Sequence, residues 1–278
     1  VPEQELYIRN LYHPSQPAGK SLAKNVSYQE YKPDLRLRHL IHCYWHLKSD
    51  QALGNPFLYR VVSDGCTDIF FNQHNPEESF FQGFNPTYSL IPLGGSFAYF
   101  GIRFYPASIT RLFGMDASDP GHDEIALSSI LPDLARHIAK LSDKRPSASS
   151  VSEFLNQYFI RLCYKNISTT DPRFLTALEL ILNQEGDVTL KEDLDTGLSQ
   201  RQLRRLFSYY IGGGPKLFSR IIRFQHFIYR NLILTPDRLP AHCNHSYYDQ
   251  AHLIKDFRSF YGSTPSEVKS DNFDRFLQ

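Results

Sequence analysis

The sequence predicts an α+β protein: a β-rich, sandwich- or barrel-like N-terminal domain, a helical linker region, and an all-α C-terminal domain with two helix-turn-helix units. Three observations lead there. Short aromatic and β-branched runs separated by turn formers fill residues 26–105. After Arg103 the apolar spacing changes to three and four residues, the helical period. Near the C-terminus a capped helical pattern occurs twice. A chain of 278 residues is long enough for two domains, each with its own core.

Residues 1–25 carry Pro, Gly, Ser and Gln without sustained period, which predicts an arm that packs late or stays mobile. Residues 26–118 form the β-rich sensor or dimerisation domain. There "HLIHCYWHL", "YRVV", "TDIFFN", "SFFQGF" and "SFAYFGIRF" read as strands, broken by turn formers such as "SDG", "NQHNPEE", "NPT" and "LGG". Strands this short and this closely spaced pair antiparallel. Residues 119–170 are expected to be a helical linker region, and 171–278 an all-α domain. "SITRLFGM", "LPDLARHIAKL", "VSEFLNQYFIRLCY" and "DPRFLTALELIL" carry the helical period, the last opened by Asp171-Pro172 as cap and first turn. "SDKRPSASS" is a loop, and "NISTTD" near Asn166 is the expected domain boundary.

Composition narrows the function classes. With 41% hydrophobic, 14% aromatic and 21% charged residues, the chain is that of a soluble globular protein. No run approaches the roughly 20 apolar residues that cross a bilayer, and the first residues show neither a basic start nor an apolar segment. We expect no membrane partner, no export signal and a cytoplasmic location. Cys43, Cys66, Cys163 and Cys243 are scattered, which indicates neither a zinc knuckle nor a disulfide framework. The net charge of +1 conceals an asymmetry: residues 198–265 hold ten basic side chains against three acidic ones. That segment suits a polyanion.

Ser199 and Asp249 are strong N-cap residues, each opening a helix. In the first, Leu203, Leu206 and Phe207 form an apolar stripe that turns Gln200, Arg201, Arg204 and Arg205 outward. In the second, Leu253, Phe257 and Phe260 make the stripe and leave Gln250, Ala251, His252, Lys255 and Arg258 for solvent or ligand. Arg forks onto guanine or phosphate, Gln bonds adenine, and Ala admits a thymine methyl, so both faces suit DNA. Between them "GPKLFSRIIRFQHFIYRNLILTP" reads as one long helix from Pro215 to Pro236. Some twenty residues span about 30 Å, close to the roughly 34 Å between successive major grooves on one face of a duplex.

Residues 188–268 resemble the DNA-binding domain of AraC/XylS-type bacterial transcription regulators, through "LSQRQLRRLF", "GPKLFSRIIRFQ", "YYDQAHLIKDF" and "YGSTPSEV". Upstream, "VVSDGCTDIFFN" and "GIRFYPASITRLFG" are similar to the sensor domain of one branch of that family. The resemblance implies transcription regulation through double-stranded DNA, and it admits a small-molecule effector and a homodimer as further partners. It places Arg201, Arg204, Arg205, Gln250, Ala251 and Lys255 where family members contact bases and backbone; Ser199, Gln200 and His252 complete the candidate DNA-binding set. The chain departs from the pattern at Asp193, where a small Ala is usual, at His242 and Ser246 in the second unit, and at the glycine run 212–214.

Blander readings stand beside these. The arginine face is also what a solvated helix surface looks like. His39, His42 and His46 invite a metal reading, but no carboxylate follows at useful spacing, so no metal is expected. "SDGCTD" is explained by a tight turn without chemistry. Trp45 is expected in the core. Arg103, among apolar neighbours, is either an anion-binding residue of a ligand pocket or a buried Arg paired with a carboxylate such as Asp68. No catalytic residue and no cofactor is predicted. The alternative class is a cupin-like β-domain enzyme fused to a degenerate helix-turn-helix tail, which requires a His and carboxylate cluster within residues 26–105.

Overall fold

A computed structural model describes residues 9–17, 25–121, 123–141, 146–166, 169–189, 196–234 and 247–268. The fold is α+β: a β-rich N-terminal half in two sheets, then helices. Its strands are β1 (Val26–Tyr31), β2 (Ile41–Ser49), β3 (Leu53–Val61), β4 (Thr67–Asn72), β5 (Asn75–Gln82), β6 (Ser89–Gly95), β7 (Ala98–Phe104) and β8 (Glu124–Ala126). The main sheet has the order β1-β2-β7-β4-β5-β8 and is antiparallel throughout, while β3 and β6 form a separate antiparallel ribbon.

Alternation along the strands sorts side chains to two buried faces. On β2, Cys43, Trp45 and Leu47 point to the ribbon and pack with Tyr59 and Leu93, as the core position expected for Trp45 requires. Tyr44 points the other way and joins Ile69, Phe71, Phe100 and Ile102 under the helices. Burial on both faces is why "HLIHCYWHL" reads as a nearly continuous apolar run. Trp45 lies opposite Gly101 across the β2–β7 pair, and a methyl group at Gly101 would overlap the indole.

Four helices cover the far face: α1 (Ser108–Phe113), α2 (Leu127–Ile130), α3 (Pro132–Ala139) and α4 (Ala148–Asn166). From α4, Val151, Leu155 and Phe159 enter the same cluster as the sheet. Ahead of α2 lies β8, three residues that extend the sheet edge beside β5. A strand that short leaves no periodic signal.

The C-terminal helices are α5 (Pro172–Asn183), α6 (Gln200–Ile211), α7 (Pro215–Ile228) and α8 (Gln250–Phe260), with α7 continuing as a π-helical segment over Tyr229–Leu234. Asp171 caps α5 by accepting from the Arg173 amide, with Pro172 in the first turn. Residues 190–195, which hold Asp193, and residues 235–246, with His242 and Ser246, lie outside the described residues. So does Cys243.

The two halves share one core. Tyr12, Val62, Cys66, Phe84 and Ala107 cluster with Phe174, Phe207, Phe218, Phe224 and Phe257. Residues 9–17 of the expected arm are part of it. The Ser15 amide donates to Gln225 Oε1 at 2.7 Å, and Gln16 donates to the Val62 carbonyl at 3.0 Å and to Asp64 at 2.8 Å.

Candidate nucleic-acid interface

The N-terminus of α6 is closed by a capping box: Ser199 receives the Gln202 amide, and the Gln202 side chain reaches back to the Ser199 amide. Leu203, Phe207, Tyr210 and Ile211 are buried. That orientation leaves Arg201, Arg204 and Arg205 exposed and Gln200 half-buried. Among the described residues no ion pair holds any of these three arginines. The Ser199 hydroxyl lies at the surface but is engaged in the cap.

Asp249 caps α8 by accepting from the His252 amide at 2.7 Å. Leu253, Asp256, Phe257 and Phe260 face inward, while Gln250, Ala251, His252, Lys255 and Arg258 are exposed. Every candidate DNA-facing residue of both helices thus lies at the surface or partly so, with each apolar stripe turned to the core.

The buried Asp256 fastens α8 to α7. Its carboxylate accepts from Arg220 at 2.7 Å and from Arg223 at 3.3 Å. Phe224 and Phe227 stack edge-on against Phe257 alongside it. Toward the start of α7, Phe218 meets Phe207 of α6 with ring centroids 5.8 Å apart. The aromatic contacts that α6 and α8 make on α7 are six to nine residues apart, a rise of about 9–14 Å. The full length of the connector therefore does not set the separation of the two exposed faces; how far each helix projects from α7 does.

A groove beside α8 is walled by Lys216, Arg220, Arg223, His252 and Lys255. Lys216, Arg220 and Arg223 recur at four- and three-residue spacing, which puts them on one face of α7. That periodicity is present in the sequence and marks three cations that the candidate set leaves out.

The β domain grips the opposite ends of both helices. The last carbonyls of a helix have no partner within it and need outside donors. At α6, the Tyr209 carbonyl accepts from the Ala117 amide at 2.8 Å and from Thr110 Oγ1 at 3.1 Å. At α8, the Ser259 and Phe260 carbonyls accept from the Tyr88 and Ser63 amides, each at 3.2 Å. Arg60 of β3 donates to the Tyr261 carbonyl at 2.6 Å and lies over that residue's ring. The glycines that end the helices allow this approach. Gly212 (φ 88°) and Gly213 lie under Phe84, and Gly262 (φ 84°) under Tyr88. Phe84 and Tyr88 belong to one loop, between β5 and β6, so Gly212 and Gly213 of the glycine run are a seat for the β domain.

Between the ribbon and the main sheet lies a cavity of about 210 Å³. Trp45, Tyr59, Phe70, Phe80 and Tyr99 line it, with Asp68, Arg103 and Glu124 as its charged groups. Arg103 sits opposite Asp68 in the β4–β7 register. It is in the carboxylate-paired arrangement, at 3.0 Å from Asp68, with Asp64 added at 3.4 Å. Trp45 Nε1 donates to the other Asp68 oxygen at 3.2 Å. Burial pushes the Asp68 carboxyl up, opposed by Arg103, and burial also raises Glu124.

The histidines of β2 do not converge on one another. A β-bulge between Ile41 and Cys43 instead brings His42, Cys43 and Glu30 of β1 together, their potential ligand atoms within 4.8 Å. The carboxylate comes from a neighbouring strand, which spacing along β2 alone does not reveal. Tyr28 already donates to Glu30, and Tyr105 occupies His42 Nδ1. Burial, and then Arg103, pull His42 down to about 3, and burial pushes the Cys43 thiol up.

Residues 29–125 match the family model of a domain of unknown function, DUF6597. The DUF6597 match covers the β domain from β1 into β8 and stops short of the helices just described. No curated protein and no solved structure matches the chain.

Proposed function

We propose that the protein is a sequence-specific DNA-binding transcription regulator of the AraC type, controlled through its DUF6597 domain. One observation carries the reading: two capped helices bury their apolar stripes against a common helix and present Arg201, Arg204 and Arg205, and Gln250, Ala251 and Lys255, to solvent. Phosphate contacts provide the affinity, and the few groove-facing side chains provide selectivity. The cationic groove of Lys216 and Lys255 supports the same partner. That no helix among the described residues is long and apolar enough to cross a membrane accords with it.

Selection of bound sequences from random duplexes tests this directly: the expected result is an enriched motif with two half-sites, and recovery of unenriched DNA overturns it. If the protein neutralises six to eight phosphates, raising salt from roughly 50 to 200 mM should lower its affinity about a thousandfold or more. Among the described residues the enzyme alternative finds a structural foothold in Glu30, His42 and Cys43. Stoichiometric metal in the purified protein, lost in Cys43→Ser, would favour it.

A further inference from the structure

We infer that the cavity between the β3–β6 ribbon and the main sheet binds a small organic cation, an amine carrying an apolar or aromatic body. This deepens the effector part of the proposed function, and it stands on the cavity alone.

The walls supply two of the three elements such a ligand needs. Five aromatic rings surround the space, from Trp45, Tyr59, Phe70, Phe80 and Tyr99. They form a connected set: Phe70 lies 6.0 Å from Trp45, 5.4 Å from Phe80 and 6.2 Å from Tyr99 between ring centroids. Aromatic faces attract an ammonium within about 6 Å. The volume of about 210 Å³ lies below the roughly 300–1,000 Å³ of pockets for drug-sized ligands, so the occupant is small.

Charge is the third element, and it decides the sign. Among the described residues Arg103 is the only cation lining the cavity, and Asp64 and Asp68 both pair with it. One guanidinium held by two carboxylates offers no free donor charge to an anion. Glu124, exposed at the sheet edge, adds a further carboxylate with no cation across from it among the described lining residues. An incoming carboxylate or phosphate would meet this excess of negative charge in a partly desolvated space, where like charges cost most. An ammonium relieves it. The aromatic walls then hold both the charge and the apolar body, the combination that recognises methylated and aryl-bearing amines.

Trp45 is the sole tryptophan of the chain and lines the cavity, so its emission reports occupancy without a label. The test titrates three probes of one shape, phenethylamine, 2-phenylethanol and 3-phenylpropanoate, into the full chain with no DNA present. Phenethylamine should change Trp45 emission saturably, binding about tenfold tighter than the alcohol, with the carboxylate weakest. Glu124→Gln should weaken the amine severalfold and leave the alcohol unchanged. Asp68→Asn should do the same where circular dichroism shows it folded; Glu124 carries the test if it is not. No saturable response to the amine, equal affinity for amine and alcohol, tighter binding of the carboxylate, or a Glu124→Gln effect common to all three overturns the inference. Because no DNA is used, these outcomes are separate from success or failure of DNA binding.

Discussion

Arg205 and Lys255 each stand on the outer face of a helix whose stripe is buried, so their side chains carry none of the packing. In the proposed function, replacing either with Ala should reduce operator affinity about tenfold and lower the salt slope by about one unit. The thermal melt should stay within about 1–2 °C of the parent, since exposed substitutions of this kind move stability by no more than ~0.5 kcal/mol. A large drop in melting temperature would return these residues to a packing role. Gly101 is the opposite case. A Cβ there overlaps the Trp45 ring, which is wedged between sheet and ribbon, so Gly101→Ala should cost about 1–3 kcal/mol in urea unfolding. Titration gives a third residue-level expectation. His42 falls from 6.5 to about 3 in the folded chain, through burial and then Arg103. His39 falls to about 4 through burial and then Arg111. Protons then bind the unfolded chain first, so stability is full above pH 6.5 and declines as pH falls toward these values. Urea midpoints measured across that window check it, and His42→Gln should flatten the decline.

Among elements, the polar part of the joint between α7 and α8 centres on one carboxylate, that of Asp256. Asp256→Asn leaves Arg220 and Arg223 without their counter-charge and should cost on the order of 3 kcal/mol, less whatever solvent reaches the two arginines. Faster hydrogen exchange confined to α8 would locate the effect. This joint was illegible in sequence because its partners are 33 and 36 positions apart. The exposed face of α8 was legible, because a cap followed by a stripe fixes which side chains turn outward. The strands divide in the same way. β2, β4 and β7 declared themselves through aromatic and β-branched content. β6 was hidden by Pro92, Gly94 and Gly95, and β8 by its length. The pairing of Arg103 with Asp68 could be anticipated from an arginine among apolar neighbours. The cavity beside it could not, since Glu124 and the ribbon reach it only through pairings distant in sequence.

At the scale of the molecule, the arm, the β domain and the C-terminal helices close over a single cluster that runs from Tyr12 to Val268. A core shared in this way makes the halves unfold together. Calorimetry should show one transition for the full chain, and two resolved transitions would contradict it. A fragment beginning at residue 171 would expose Phe218 and leave Gln225 without the Ser15 and Ser63 backbone groups that it bonds. Such a fragment should be markedly less stable than the whole, by far more than a severed flexible linker would explain.

The bend that carries Phe84 and Tyr88 sits on the closing glycine of each exposed helix. In the proposed function it turns the pair into a caliper with a fixed gap. One base pair inserted between half-sites rotates the second by about 34° and moves it by about 3.4 Å. A caliper of this construction would reject the lengthened operator, whereas two heads on a slack tether would tolerate it.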